Sequence, residues 1–416
     1  MTQKEFLTMN TIGIIAEYNP FHQGHAYQIQ EAKKQFHADN VVVLMSGNYV
    51  QRGTPAITDK YTRTRMALSA GADFVFELPV IYATSSAENF AFAGVSILNR
   101  LPFINGISFG CETPNINDIK EIALLLCQEP DTFKQELQLA LKSGISYPAA
   151  RKKAVLSYCQ KQQTIFQTED TISSLLSNPN NILAIEYQKA LFRQQSTITP
   201  VPILRTGSAH HSENISNAFP SASALRKAFL TKDNFSEIAE YLPNCVVPIL
   251  EKQYQHTFPI SENDFSSLLY YKLSQENDYT KYLDISETLS NKIKKYLSYT
   301  CDFSDFAMTI KSKDLVYTRV CRCLLHILLH LTKQDFIEEP PYVRLLGFRK
   351  NKSFLLGQET NIPIITKVAN SKKQLSPEAF SLFEKDILAT HLYHHICYEK
   401  YGTILKTEYE QGPVIL

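Results

Sequence analysis

Short, unbroken apolar runs alternate with segments of helical length along the first half of the chain. The runs are Thr11 to Ala16, Asn40 to Met45, Asp73 to Leu78, Ile104 to Phe109 and Val201 to Leu204. Runs this short and this continuously apolar are what strands look like when both faces of a parallel sheet are covered. The segments between them, His25 to Phe36, Thr58 to Ala70, Ser86 to Leu98 and Asn117 to Cys127, have helical length. This alternation predicts an α/β fold, a Rossmann-like doubly wound parallel sheet. Residues 131–193 read as a helical insertion before the last strand. The pattern changes after about residue 230. Helical periodicity marks 262–300, 314–333 and 376–399, and a strand-like turn region falls near 343–368. Pro243, Pro248 and Pro259 punctuate the transition, each a break in regular structure. A division into 1–232 and a mainly helical 233–416 is expected.

Composition narrows the class. Among 416 residues, 44% are hydrophobic and 20% charged, a balance that excludes disorder. No apolar stretch reaches the ~18–20 residues of a membrane-spanning helix; Leu324 to Leu331 is interrupted by His326 and His330. Met1 to Thr11 has no apolar core or small-residue cleavage site, so no secretory signal is expected there. The eight cysteines (111, 127, 159, 245, 301, 321, 323, 397) form no C-x-x-C pair and read as reduced thiols. A cytoplasmic protein with no membrane partner is expected.

The segment richest in chemistry is Glu17-Tyr18-Asn19-Pro20-Phe21-His22-Gln23-Gly24-His25. A strand feeds a Pro-containing turn, and His-x-Gly-His opens a helix. A helix N-terminus offers unpaired N–H groups and partial positive charge to a polyphosphate. Gly24 would let the backbone approach a nucleotide, and His22 and His25 could donate to phosphate oxygens and stabilise charge developing there. The alternative is a pair of incidental histidines at a strand–helix junction. A second segment, Pro220-Ser221-Ala222-Ser223-Ala224-Leu225-Arg226, follows the fifth run. Ser221 can cap its helix, while Ser223 and Arg226 lie within one turn, with Arg226 suited to bidentate phosphate contact. Alone, this would be an ordinary capped helix with a solvated cation; beside the histidines it reads as a phosphate site.

The pairing of His-x-Gly-His with a later Ser-x-Ser-x-x-Arg resembles the nucleotidylyltransferase superfamily, relatives of the class I aminoacyl-tRNA synthetases. The longer strings are more specific: Glu17 to His25, Ser46-Gly47-Asn48-Tyr49-Val50-Gln51-Arg52-Gly53, Phe109-Gly110-Cys111-Glu112, Ser177-Asn178-Pro179-Asn180-Asn181-Ile182-Leu183 and Leu346-Gly347-Phe348. They look like the bacterial tRNA(Met) cytidine acetate ligase family over nearly the whole chain. That resemblance implies two steps. ATP and acetate give acetyl-adenylate and pyrophosphate, and N4 of the wobble cytidine of elongator tRNA(Met) then takes the acetyl group.

It also implies site residues. The stretch Ile15, Ala16, Glu17, Tyr18, Asn19, Pro20, Phe21, His22, Gln23, Gly24, His25, Ala26, Tyr27 and Gln28 would wrap ATP. Gly110 would pass close to the adenine or ribose. Asn180 or its neighbour Asn181, and Arg205, match the remaining nucleotide-binding positions. Ser221 and Ser223 would serve phosphate, and His22, His25 and Arg226 are the expected charge-neutralising, catalytic groups. One departure is local: the superfamily usually has Ile where this chain has Pro220. Arg52 could hold the acetate carboxylate or a phosphate, or simply face solvent. Mg²⁺ commonly accompanies ATP phosphates; no metal site is read in the sequence.

Charge is unevenly spread. From Lys311 to Lys373 there are 12 Lys or Arg against five Asp or Glu, a local +7 in a chain that totals +1. Tyr317, Tyr342, Phe348 and Phe354 are interleaved. Basic residues with aromatics suit RNA phosphates and unstacked bases; a basic helix face beside core aromatics would look the same. His326 and His330 lack the Glu of a zinc H-E-x-x-H motif and read as core-edge residues. His391, His394 and His395 read as structural or RNA-facing. Two other functions fit parts of the pattern: a cofactor-type nucleotidylyltransferase moving AMP or CMP to a small phosphate ester, and an RNA-binding module on a degenerate nucleotide fold.

Overall fold

The computed structural model describes residues 9–113, 115–162, 169–205, 221–231, 234–297 and 302–416. Pro220, the division at residue 232 and most of the N-terminal segment before Thr11 lie outside the described residues. Strand β1 (Thr11–Ala16) runs through helix α1 (Gln23–Gln35) into β2 (Asn40–Ser46) and a small hairpin, β3 (Tyr49–Val50) and β4 (Thr54–Pro55). Helix α2 (Lys60–Ser69), β5 (Phe74–Leu78), helix α3 (Ala87–Asn99), β6 (Gly106–Cys111) and helix α4 (Ile116–Gln128) follow. The expected helical insertion comprises Asp131–Lys142, Tyr147–Gln162, Glu169–Ser177 and α5 (Pro179–Arg193), leading to β7 (Thr199–Leu204). Beyond it come α6 (Ala222–Thr231), α7 (Tyr317–Leu328), β8 (Val343–Phe348), β9 (Ile364–Ile365), α8 (Pro377–Tyr401) and β10 (Val414–Ile415), among further short helices.

The large sheet has the order β10-β8-β5-β2-β1-β6-β7, with β9 also on β8. The five strands read from the sequence are its parallel part, β5-β2-β1-β6-β7. All seven residues of β2 are buried, because its two faces feed two cores. Val42 and Leu44 join Phe74 and Phe76 under α3, α5 and α8. Val41, Val43 and Met45 join Val75 under α1, α2 and α6. Helices therefore cover both faces, as the uninterrupted apolar runs require. Pro200 and Pro202 sit in β7 at the sheet's edge, where a missing backbone donor is tolerated.

The sheet as a whole is mixed, which the sequence reading did not anticipate. Strand β8 joins β5 antiparallel, bringing β9 and β10 with it. Its sequence, Val-Arg-Leu-Leu-Gly-Phe, hides this because a charge interrupts the apolar run. Arg344 is tolerated there because it ion-pairs with buried Glu408 and donates to the Tyr61 hydroxyl at 2.8 Å. Glu408 also lies 3.3 Å from Lys60, whose ammonium donates to Glu77 at 2.8 Å. Buried charges survive only when paired in this way, and these pairs fasten the C-terminal segment to α2 and β5. The region between α6 and β8 is helical and has its own core, built on Leu269, Ile293, Phe306 and Leu324.

Candidate active site

A cavity of about 450 Å³ opens at the carboxyl end of β1. Beside β1 the chain turns to β2 on one side and β6 on the other. Such a switch point parts the loops and leaves a crevice for ligand. Gly110 of β6 and Arg205 just past β7 line one side. Gln51 and Arg52, from the turn of the β3–β4 hairpin, line the other.

The histidines begin α1 without the usual Ser, Thr, Asp or Asn cap. His22 occupies the cap position, and its Nδ1 accepts from the Gly24 amide at 3.0 Å. The Nδ1 of His25 accepts from the His22 amide at 3.2 Å, so two imidazoles form a reciprocal capping box. An Nδ1 that accepts carries no proton, so each neutral ring bears its proton on Nε2. The rings stack with centroids 3.8 Å apart. Burial, then the Arg205 and Arg226 guanidiniums, pull His22 down to about 3. Burial, then His22 and Arg205, hold His25 well below its ordinary value. Both rings are therefore neutral N–H donors at physiological pH.

Of the stretch expected around ATP, Ile15, Ala16, Glu17, Tyr18, Asn19, His22, His25 and Gln28 line the cavity. His22, His25 and Gln28 recur every third residue on one helix face. Pro20, Phe21, Gln23, Gly24, Ala26 and Tyr27 are not on its wall. Phe21 is buried beneath Tyr18, Gln23 reaches the Leu242 carbonyl at 3.4 Å, and Ala26 and Tyr27 pack against the core. A Cβ at Gly24 would lie 2.9 Å from His22 Cε1, so the glycine makes room for that ring. At Gly110 a Cβ would lie 3.2 Å from Arg205 Cγ, so the glycine leaves room for the arginine stem.

The two asparagines part company. Asn180 lines the cavity and donates to Glu112 Oε1 at 2.5 Å. Asn181 is fully buried, and its Oδ1 accepts from the amides of Glu112 and Thr113 at 2.9 and 3.1 Å. It is a strut for the turn after β6. Ser221 accepts from the Ala224 amide at 3.1 Å, the expected cap. Arg226 lines the cavity, but donates to the Asn19 carbonyl at 2.8 Å and to Ser223 Oγ at 3.0 Å, so the second motif is tied to the first. Burial and the nearby Arg52 pull Arg226 down to about 10, leaving it charged.

Sequence reasoning missed two arginines. Arg63, fully buried on α2, donates to the carbonyls of Glu17, Ser46, Gly47 and Thr58, gathering the ends of β1 and β2. Nothing in its local sequence marks it. Arg322 on α7 lines the cavity with Thr318, so this wall includes residues from far along the chain. In sequence it is one of the cations of the basic tract. That tract does not form one face. Arg344 is buried and Arg349 donates to the carbonyls of Leu68 and Ala72. Tyr342, Phe348 and Phe354 belong to the sheet core and Tyr317 packs on the helical core, so these aromatics are not the base-stacking surface expected. Lys311, Lys313, Arg319, Lys350, Lys367, Lys372 and Lys373 are exposed. His326 is buried, its Nδ1 and Nε2 lying 3.1 and 3.0 Å from the carbonyl oxygens of Leu283 and Thr84.

A model of the HIGH Nucleotidyl Transferase family matches residues 9–408. A tRNA(Met) cytidine acetate ligase of Thermoanaerobacter sp. (strain X514) is 41% identical over 391 residues, covering 92% of this chain and 95% of that protein. The chain belongs to the tRNA(Met) cytidine acetate ligase family. The family's member from Clostridium perfringens is 39% identical, with the same 92% and 95% coverage. The fold agrees as well. The apo crystal structure of Thermotoga maritima TmcAL superposes with a TM-score of 0.92 at 27% identity, covering 98% of this chain and all of that one. A second crystal structure of that protein, bound with alpha-thio ATP, gives 0.89 at 28% identity over the same 98% of this chain. The family resemblance of the sequence motifs is thus borne out. No helix among the described residues is long and apolar enough to cross a membrane.

Proposed function

We propose that this chain activates acetate with ATP as acetyl-adenylate and passes the acetyl group to N4 of the wobble cytidine of elongator tRNA(Met), in the cytoplasm. One observation carries the reading. Two stacked, neutral imidazoles with their Nδ1 atoms engaged share a cavity with Arg205 and Arg226 in a member of this ligase family. In the first step an acetate oxygen bonds to the α-phosphorus, the bond to the bridging oxygen breaks, and pyrophosphate leaves. The Nε2–H groups and guanidiniums meet the negative charge as it develops, and no covalent enzyme intermediate is required. Mg²⁺ bound with the ATP phosphates would add positive charge there.

In the second step the N4 lone pair attacks the acetyl carbon, the bond to the AMP oxygen breaks, and N4 loses one proton. The cytidine must leave its stack to reach a cavity. The exposed cations of 311–373 are the phosphate contacts this docking would use, and 233–416 is the tRNA-binding part. Gly110, Asn180, Arg205, Ser221 and Ser223 serve the nucleotide. Two measurements test the reading: exchange of labelled pyrophosphate into ATP, which should depend on acetate, and mass spectrometry of tRNA nucleosides from cells lacking the protein, which should lose N4-acetylcytidine from tRNA(Met). Transfer of AMP or CMP to a small phosphate ester would instead identify a cofactor-type nucleotidylyltransferase. Full activity of His22→Ala and His25→Ala would leave an RNA-binding module.

A further inference from the structure

On the β2 side of the cavity the wall is made by the turn of the β3–β4 hairpin and by α7, docked backbone to backbone. Gly53 is the contact. Its φ is +78°, and a Cβ there would lie 2.2 Å from the backbone nitrogen of Arg322. Only glycine permits that approach, and the approach aims Arg322 into the cavity. Nη1 of Arg322 donates to the Gln51 carbonyl at 3.4 Å, and the Gln51 backbone N–H donates to Glu17 Oε1 at 3.0 Å. Arg322 Nε and Gln51 Nε2 are nevertheless buried without a hydrogen-bond partner among the described residues. The hydroxyls of Tyr18 and Tyr187, both cavity-lining residues, are in the same condition. Each of these atoms is a donor, and a buried donor without an acceptor is destabilising. These four residues line the cavity with Arg205 and Arg226, a donor-rich, cationic wall that suits an acceptor-rich, anionic ligand. The nucleotide side of β1 already has Gly110, Asn180 and Arg205.

We propose that Arg322, with Gln51, holds the carboxylate of the acid substrate on the β2 side of the cavity. This rests on the reading of the protein as a ligase that activates a carboxylate. One oxygen of the acid accepts from Arg322 and Gln51; the other is left to bond to the α-phosphorus as pyrophosphate departs. A guanidinium suits the task because its planar fork matches a carboxylate and it stays charged when half-buried. Arg322 is thus a substrate-binding residue delivered by the C-terminal half to a site whose nucleotide contacts come from the N-terminal half.

The test is acetate-dependent exchange of pyrophosphate into ATP, together with ATP affinity by equilibrium dialysis without acetate. Arg322→Ala should raise KM for acetate about 10- to 100-fold, the effect of a lost charge-assisted hydrogen bond, while ATP affinity stays within about twofold. Arg322→Lys keeps the stem and charge but not the fork, and Gln51→Leu removes Nε2 at similar volume. Each should raise KM for acetate by a smaller factor, so the proposal does not depend on one variant folding. Weakened ATP affinity with an unchanged KM for acetate, in either of the arginine variants, would make Arg322 a phosphate ligand and overturn the proposal. Wild-type protein without acetate-dependent exchange would instead remove the ligase reading, and this proposal with it.

Discussion

The Nη1 of Arg63 lies 2.7 Å from the carbonyl oxygen of Glu17, and the same nitrogen lies 2.9 Å from that of Ser46. One buried guanidinium thus sets how the β1 turn, with its two histidines, stands relative to the end of β2. Arg63→Met keeps the stem and strands those carbonyls. It should destabilise the protein by at least ~3 kcal/mol, because each orphaned buried acceptor carries its own desolvation penalty. Urea unfolding reads this as a lower midpoint at unchanged slope; an unmoved midpoint would mean that other donors serve those oxygens.

The histidine pair makes stability depend on pH in a stated direction. His22 titrates near 3 when folded, against an ordinary value of about 6.5. The unfolded chain therefore takes up this proton first. The neutral ring's contribution to stability is fully present above about pH 6.5 and is lost as pH falls from there toward 3. His22→Asn keeps a residue able to cap α1 but removes the titration. Thermal unfolding at pH 7 and pH 5 should show a smaller loss of Tm on acidification for this variant than for the wild type. Its pyrophosphate exchange should fall by about two orders of magnitude, the usual effect of losing one charge-stabilising donor.

Adjacent asparagines should fail differently. Asn181→Ala removes the acceptor for two amides and should cost about 2 kcal/mol in chemical denaturation. Asn180→Ala faces the cavity and should leave the midpoint nearly unchanged while weakening ATP binding about tenfold, roughly one hydrogen bond's worth. Equal effects of both variants on ATP affinity and none on stability would contradict this division.

Gly110→Ala places a methyl 3.2 Å from Arg205 Cγ. The arginine must shift, and ATP affinity should fall about tenfold, the size of one modest contact. Isothermal titration with ATP, comparing Gly110→Ala with Arg205→Ala, checks whether the two act through the same group: the double variant should be little worse than Arg205→Ala alone.

Much was legible in the chain alone, and the reasons are local. Continuous apolar runs mark strands covered on both faces, and Asn40 to Met45 is such a run because α2 and α3 close over opposite faces of β2. The His-x-Gly-His turn announces itself by spacing, since His22 and His25 share a helix face. Other features depend on partners distant in sequence. Strand β8 is hidden because Arg344 becomes tolerable only beside Glu408, 64 positions onward. Arg63 is an unremarkable helix residue until two strand ends converge on it. Arg322 reads as one more cation in a basic tract until Gly53 lets α7 settle on the β3–β4 turn. Periodicity and spacing determine elements and the turn between them, because those obey short-range sterics. Which charges are buried, and which face a ligand, follows only from how the elements pack, because the energy of a charge is set by what surrounds it in space.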